Sequence, residues 1–163
     1  MPANPLETNP PAWRDDTVLP LHPDVNADAW AVDAACSGNP GLMEYRGIDL
    51  ATGRQVFHFG PLWGTNNIGE YLAIVHALAL LEKLGMNKTV YSDSYNAILW
   101  TMKRQCKTKL ARDESTEKLF KIIARADKWL QTHIIRNPVI KWDTRKWGEM
   151  PADFGRKKKS ATH

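Results

Sequence analysis

AWAVDAACSGNPGLMEYRGIDL, residues 29–50, reads as a strand, a tight turn and a second strand, and the rest of the fold is built outward from it. Ala29 to Val32 is an apolar run, and Ser37 to Gly41 concentrates residues that form turns. A second strand is predicted from about Leu42 to Ile48. The Ala-Thr-Gly-Arg turn at 51–54 then returns the chain into a third, from about Gln55 to Leu62. Three consecutive strands joined by short turns predict an antiparallel meander.

Downstream, Leu72, Val75, Leu78 and Leu81 recur at helical spacing after Asn67, and Gly85 ends the helix. Lys88 to Ser92 has the character of a short buried strand. Helices are predicted from Ser94 to about Gln105 and from Glu114 to about Thr132, with a last strand from Val139 to Trp142. Strands that cross over through helices pair in parallel. The predicted fold class is therefore α/β, a five-stranded mixed sheet of antiparallel meander plus parallel strands, flanked by helices.

A chain of 163 residues with 43% hydrophobic content suffices for one core. Residues 1–27 hold six of the ten prolines and show no sustained periodicity, so they are expected to form an extended or disordered leader. The catalytic-size domain is expected over 28–157, followed by a basic tail, 158–163. Two cysteines, Cys36 and Cys106, and the lack of an apolar N-terminal run argue against a disulfide framework or a membrane span. The expected location is the cytoplasm. A net charge of +4 suits a polyanionic partner. No Walker loop, GxGxxG or HExxH occurs, which removes support for nucleotide hydrolysis, dinucleotide binding and zinc proteolysis.

Four carboxylates stand in four separate settings: Asp33 in VDAACSGNPG, Glu70 in TNNIGEYLAIVHAL, Asp93 in VYSDSYNA and Asp153 in WGEMPADFGR. Asp33 and Asp93 follow apolar strand-like runs, and Glu70 is expected in the first turn of its helix. Carboxylates gathered on a folded core repel one another unless cations neutralise them. Oxygen ligands without matching His or Cys favour magnesium or manganese over zinc.

These segments, D-x-x-C-x-G-N-P-G at 33–41, T-N-N-x-x-E at 65–70, D-S at 93–94 and KWDTRKWGEMPADFGR at 141–156, resemble those of type 1 ribonuclease H in order and separation, over roughly residues 28 to 157. The resemblance implies the ribonuclease H-like fold and an endonuclease that hydrolyses the RNA strand of RNA/DNA hybrids, leaving 5'-phosphate and 3'-hydroxyl ends. It implies two Mg2+ ions, with Mn2+ as a substitute, about 3.5–4 Å apart. Asp33 would bridge them, Asp93 and Asp153 would complete one or both shells, and Glu70 would bind the second ion on the substrate side. Proofreading-type exonucleases with this chemistry carry an acidic residue two positions after the first aspartate; Ala35 stands there and favours an endonuclease. The short WGEMPAD loop resembles the branch of the family in which a glutamate replaces a loop histidine, which makes Glu149 the mobile catalytic group.

Telling RNA from DNA means sensing 2'-hydroxyls across the minor groove, which backbone amides and Asn side chains suit because they donate and accept; the turn Ser37, Gly38, Asn39 and the pair Asn66, Asn67 are the candidates. Tyr95 stands where relatives often carry an RNA-contacting glutamine. Thr65, Asn67, Thr108 and Thr144 fall at a phosphate-binding pocket for the DNA strand, and Lys146 and Trp147 complete the contacts. Lys103, Arg104, Lys107, Lys109 and Arg112 are expected to flank the hybrid. Trp30, Trp63, Trp100, Trp129 and Trp142 are expected in core packing. A monomer with no obligate protein partner is expected. The competing classes are a noncatalytic hybrid-binding scaffold, marked by loss of a core carboxylate, and a polynucleotidyl transferase or resolvase, which needs extra DNA-binding segments.

Overall fold

The computed structural model describes residues 21–154. The leader before Leu21 and the basic tail lie outside the described residues.

The expectation of a five-stranded mixed sheet flanked by helices is borne out. Strands β1 (Ala29–Cys36), β2 (Gly41–Asp49) and β3 (Gln55–Gly64) form the meander, and β4 (Thr89–Ser92) and β5 (Val139–Lys141) add the parallel portion. The order across the sheet is β3-β2-β1-β4-β5, with β1 parallel to β4 and β4 parallel to β5. The helices are α1 (Asn66–Leu84), α2 (Tyr95–Lys103), α3 (Glu117–Thr132) and the single turn α4 (Thr144–Trp147).

Side chains alternate across the sheet, so β1 feeds two cores. Trp30, Val32 and Ala34 join the larger one, under α1 and α3. Ala29 and Ala31 join a smaller one with Ile48, Leu50, Tyr91, Trp142, Met150 and Ala152. Burial on both faces explains why β1 is nearly all apolar and makes Asp33 conspicuous within it.

Helix α1 buries residues around most of its circumference, as a central helix does. Thr65 caps it, its hydroxyl accepting from the Ile68 amide at 3.2 Å. At the other end Gly85 takes the left-handed conformation, φ 67°, that closes the last turn. Because the cap is Thr65, Glu70 falls in the second turn, not the first as expected.

Other elements depart from the sequence reading at their ends. Strand β1 runs on to Cys36, since pairing with β2 continues past the end of β4. The third predicted helix is a 3-10 turn at Glu114–Thr116 followed by α3. Trp63 is 41% exposed on the β3 edge strand and is not core. The packed region also begins inside the expected leader. Val25 is buried in the smaller core, Leu21 packs against it, and the Asn26 amide donates to the Tyr91 hydroxyl at 2.9 Å.

Candidate active site

Pairing of β1 with β4 ends at Val32 and Ser92, so the next residues, Asp33 and Asp93, leave the two parallel strands side by side. Neighbouring strands lie about 4.8 Å apart, which sets the spacing of the two backbones there. The turn after β4 is tied locally: the Ser94 amide donates to the Ser92 hydroxyl, and Ser94 caps α2 through the Ala97 amide, both at 3.1 Å. Glu70 enters from α1. Its neighbour Gly69 lets the helix lie close to the sheet, because a Cβ there would sit 2.8 Å from the Met43 Cγ and 2.9 Å from the Ala34 Cβ.

Asp33, Glu70 and Asp93 each bring a carboxylate oxygen to within 4.8 Å of the other two. Asp33 and Glu70 are buried, 0% and 2% exposed, and Asp93 is half-buried, so the group opens to solvent on one side. Ligands on opposite sides of a magnesium ion are about 4.2 Å apart, and somewhat farther about calcium. The spread of the three oxygens therefore fits a shared divalent cation, and an all-oxygen donor set suits a hard one. No His or Cys belongs to the group.

Asp153, expected as the fourth member, is not among these three. It lies in the irregular segment after α4, where its amide donates to the Met150 carbonyl at 2.9 Å. Arg46, which the sequence reading passed over, holds this segment. Its Nε donates to the Ala152 carbonyl at 2.8 Å and its NH2 to the Asp153 carbonyl at 2.5 Å, and the guanidinium lies 4.4 Å from the centre of the Phe154 ring. Arg46 is the cross-strand partner of Asp33. The available signal was its position: β2 runs back antiparallel from the SGNPG turn, and counting from that turn sets Arg46 opposite Asp33.

Glu149 is exposed, between Gly148 at φ 79° and the buried Met150. Trp147 was expected to contact substrate. It packs edge-on against Tyr91 and Trp142, with ring centres 5.7 and 5.1 Å away, and so belongs to the lining of the smaller core. Thr144, Arg145 and Lys146 are exposed on α4.

Two depressions flank the carboxylates. One of about 380 Å³ is lined by Asn66, Asn67, Glu70, Asp93 and the exposed Tyr95. The other, about 820 Å³, shares Asn66 and Asn67 and continues past Asn39 and Thr65 to Lys107, Thr108 and Lys109. Thr65, Asn67 and Thr108 line this one depression, and Thr144 does not. Asn39 is partly committed to the fold, its Oδ1 accepting from the Asn66 amide at 2.9 Å. Ser37 likewise accepts from the Leu42 amide. Gly38 supports the turn itself, since a Cβ there would meet the Pro40 carbonyl oxygen at 2.9 Å.

Arg104, expected beside the hybrid, is tied to the fold. It ends α2 in the left-handed conformation and donates to the Leu130 and His133 carbonyls. Arg112 pairs with Glu117 at 3.2 Å. Neither cysteine is poised as a nucleophile: Cys36 donates to the Gly38 carbonyl, and burial pushes the Cys106 thiol up to about 12.

No protein-family model matches the sequence. Among solved structures the chain is similar to RNase H1 from the halophilic archaeon Halobacterium salinarum, at 22% identity over 72% of this chain and 86% of that one, with a TM-score of 0.44. It is also similar to the N-terminal RNase H domain of rv2228c from Mycobacterium tuberculosis, solved as a fusion with maltose binding protein, at 18% identity over 77% and 99% of the two chains and a TM-score of 0.43. A further similar structure is LC11-RNase H1 in complex with an RNA/DNA hybrid, at 22% identity, 72% and 86% coverage and a TM-score of 0.40.

Proposed function

We propose that this protein is a divalent-cation-dependent endonuclease that hydrolyses the RNA strand of RNA/DNA hybrids, leaving 5'-phosphate and 3'-hydroxyl ends. The observation that carries the reading is the convergence of Asp33, Glu70 and Asp93, three of the four motif carboxylates, from distant points in the sequence. Magnesium is the cation we assign, two ions per site with manganese as a substitute, held by these three carboxylates together with Asp153. When bound, such ions acidify water near neutral pH and neutralise the charge that develops on the leaving oxygen.

The remaining work falls to the chain's own groups. Asn66 and Asn67, which line both depressions, are suited to a ribose 2'-hydroxyl because an amide side chain both donates and accepts. Tyr95 presents a ring beside them. Lys107, Thr108 and Lys109 supply cationic and hydroxyl contacts for the phosphates of the DNA strand. Glu149, exposed after a glycine, is assigned as the mobile carboxylate that assists product departure. The protein is taken as a cytoplasmic monomer, in keeping with its two free cysteines. Among the described residues no helix is long and apolar enough to cross a membrane.

The test is cleavage of an end-labelled RNA/DNA hybrid, with and without magnesium, beside RNA/RNA and DNA/DNA duplexes. Internal cuts confined to the RNA strand of the hybrid and dependent on metal are expected. Binding without cleavage in either magnesium or manganese would replace the enzyme with the hybrid-binding scaffold. Glu149→Ala is expected to slow turnover several-fold while hybrid affinity stays within about twofold; unchanged steady-state turnover removes its role.

A further inference from the structure

We propose that Arg46 is the positioning residue of the site: it fixes the Asp153 segment to the strand position directly across from Asp33. The inference rests on the reading of Asp153 as part of the active site. Asp153 comes from an irregular stretch, and a carboxylate on such a stretch is only as well placed as the contacts that hold its backbone. Arg46 supplies those contacts. It is 7% exposed, and one guanidinium donates to two successive carbonyls, those of Ala152 and Asp153, with the Phe154 ring against it.

The geometry favours an arginine over any other residue. Its planar group carries several donors in a fixed arrangement, so two carbonyls and a ring face are engaged at once. A lysine offers a single nitrogen, which cannot reproduce that fork. The residue that grips the segment is also the cross-strand partner of Asp33, and opposed residues of an antiparallel pair lie about 4.5–5.5 Å apart at Cα. The segment is therefore referred to the best-anchored carboxylate of the site.

Arg46→Lys and Phe154→Leu, each in the full chain, provide the test. Amide hydrogen exchange is followed by mass spectrometry in the metal-free protein, and hybrid cleavage is measured over a range of magnesium concentrations. In Arg46→Lys, exchange across 149–154 is expected to rise about tenfold, the loss expected for a hydrogen bond to a charged group, while α1 and β1 keep their protection. The kcat should fall at least tenfold and the magnesium concentration for half-maximal rate should rise, with KM for the hybrid within about twofold. Phe154→Leu leaves the guanidinium bonds in place and should show the same changes in smaller degree. A variant in which β1 also loses protection reports general destabilisation, and that result in both variants overturns the positioning role. Unchanged exchange in Arg46→Lys overturns the latch whatever the activity, and faster exchange with unchanged kcat and magnesium requirement overturns its bearing on the site. If the unsubstituted protein cleaves no hybrid, the enzymatic reading fails while the exchange result still decides the latch.

Discussion

Asp33, Glu70 and Asp93 are carried by the central strand, the most enclosed helix and the end of a paired strand, whereas Glu149 and Asp153 ride on a segment with one helical turn and few backbone bonds of its own. The first group is placed by the same ladders and core that make the fold. The second is placed by a handful of long-range contacts: Arg46 on two carbonyls, and the smaller core in which Met150, Ala152 and Trp147 meet Val25 and Tyr91. A site divided in this way has a rigid cluster and an adjustable arm, and local opening is drawn from the weakly tethered side. That suits the cycle proposed above, in which an exposed Glu149 moves while three carboxylates stay fixed.

The largest effect that can break this division is expected at the rigid cluster. Asp33→Asn keeps the shape of the side chain and removes one of three converging charges. Hybrid cleavage should fall by about 10³-fold or more. The melting temperature without divalent cations should hold or rise, because a repulsion has been relieved. Magnesium should also stabilise the variant less than it does the parent protein, since a ligand that binds only the native state stabilises in proportion to its affinity. Melting curves with and without magnesium check both, and an equal magnesium gain in the two proteins would remove Asp33 from the cation site.

Next in size is a pH effect confined to the larger core. His76 on α1 stacks on Phe57 at 4.2 Å and shares a 2.9 Å hydrogen bond with the Tyr45 hydroxyl; burial lowers its imidazole to about 4. Between the unfolded value near 6.5 and about 4, the unfolded chain binds a proton that the native state refuses. Stability therefore rises with pH across that window and is lost on acidification, by up to about 3 kcal/mol. His76→Phe should flatten the difference in denaturation midpoint between pH 7 and pH 4.5. A parallel pH profile in the two proteins would assign the acid sensitivity to other groups.

Gly69→Ala probes the seat of Glu70. Alanine favours a helix interior by about 1 kcal/mol over glycine, yet the added methyl would meet Met43 and Ala34 inside normal contact. The close approach dominates, and a net loss of about 1–2 kcal/mol is expected, with a drop in cleavage because Glu70 shifts with the helix. Stabilisation without loss of activity would mean that α1 has room to spare beside the sheet.

The same division decided what could be read from the sequence. Strands β1 to β3 and helix α1 were legible because local signals agree: alternation, turn residues at 37–41 and 51–54, helical spacing and a glycine stop. The carboxylates Asp33, Glu70 and Asp93 were legible because each sits next to such a signal. Arg46 was not, since its role depends on carbonyls more than a hundred positions away, and an arginine in a half-polar strand looks like any exposed one. Val25 was hidden by its proline-rich neighbours, whose composition argues against packing while saying nothing of one side chain that fills a gap. Arg104 misled in the opposite direction. A run of basic residues after a helix suggests a polyanion contact, yet one of them bonds the carbonyls at the end of α3.

The smallest expected effect separates the two ways of holding the arm. Val25 is 8% exposed in the smaller core, which it shares with Met150 and Ala152 but with none of the three clustered carboxylates. Val25→Ala removes two methyl groups there and should cost about 1–2 kcal/mol of stability. If this core helps to seat the arm, hybrid cleavage should fall a few-fold and the magnesium concentration for half-maximal rate should rise, as in Arg46→Lys but less, because Asp153 rides on the arm, while β1 and α1 keep their protection from hydrogen exchange. Stability lost with full activity would leave Arg46 as the contact that matters to the site and reduce the N-terminal packing to a general brace. Faster exchange in β1 and α1 together with the arm would join the two regions into one cooperative unit, and the distinction between a rigid cluster and an adjustable arm would fall.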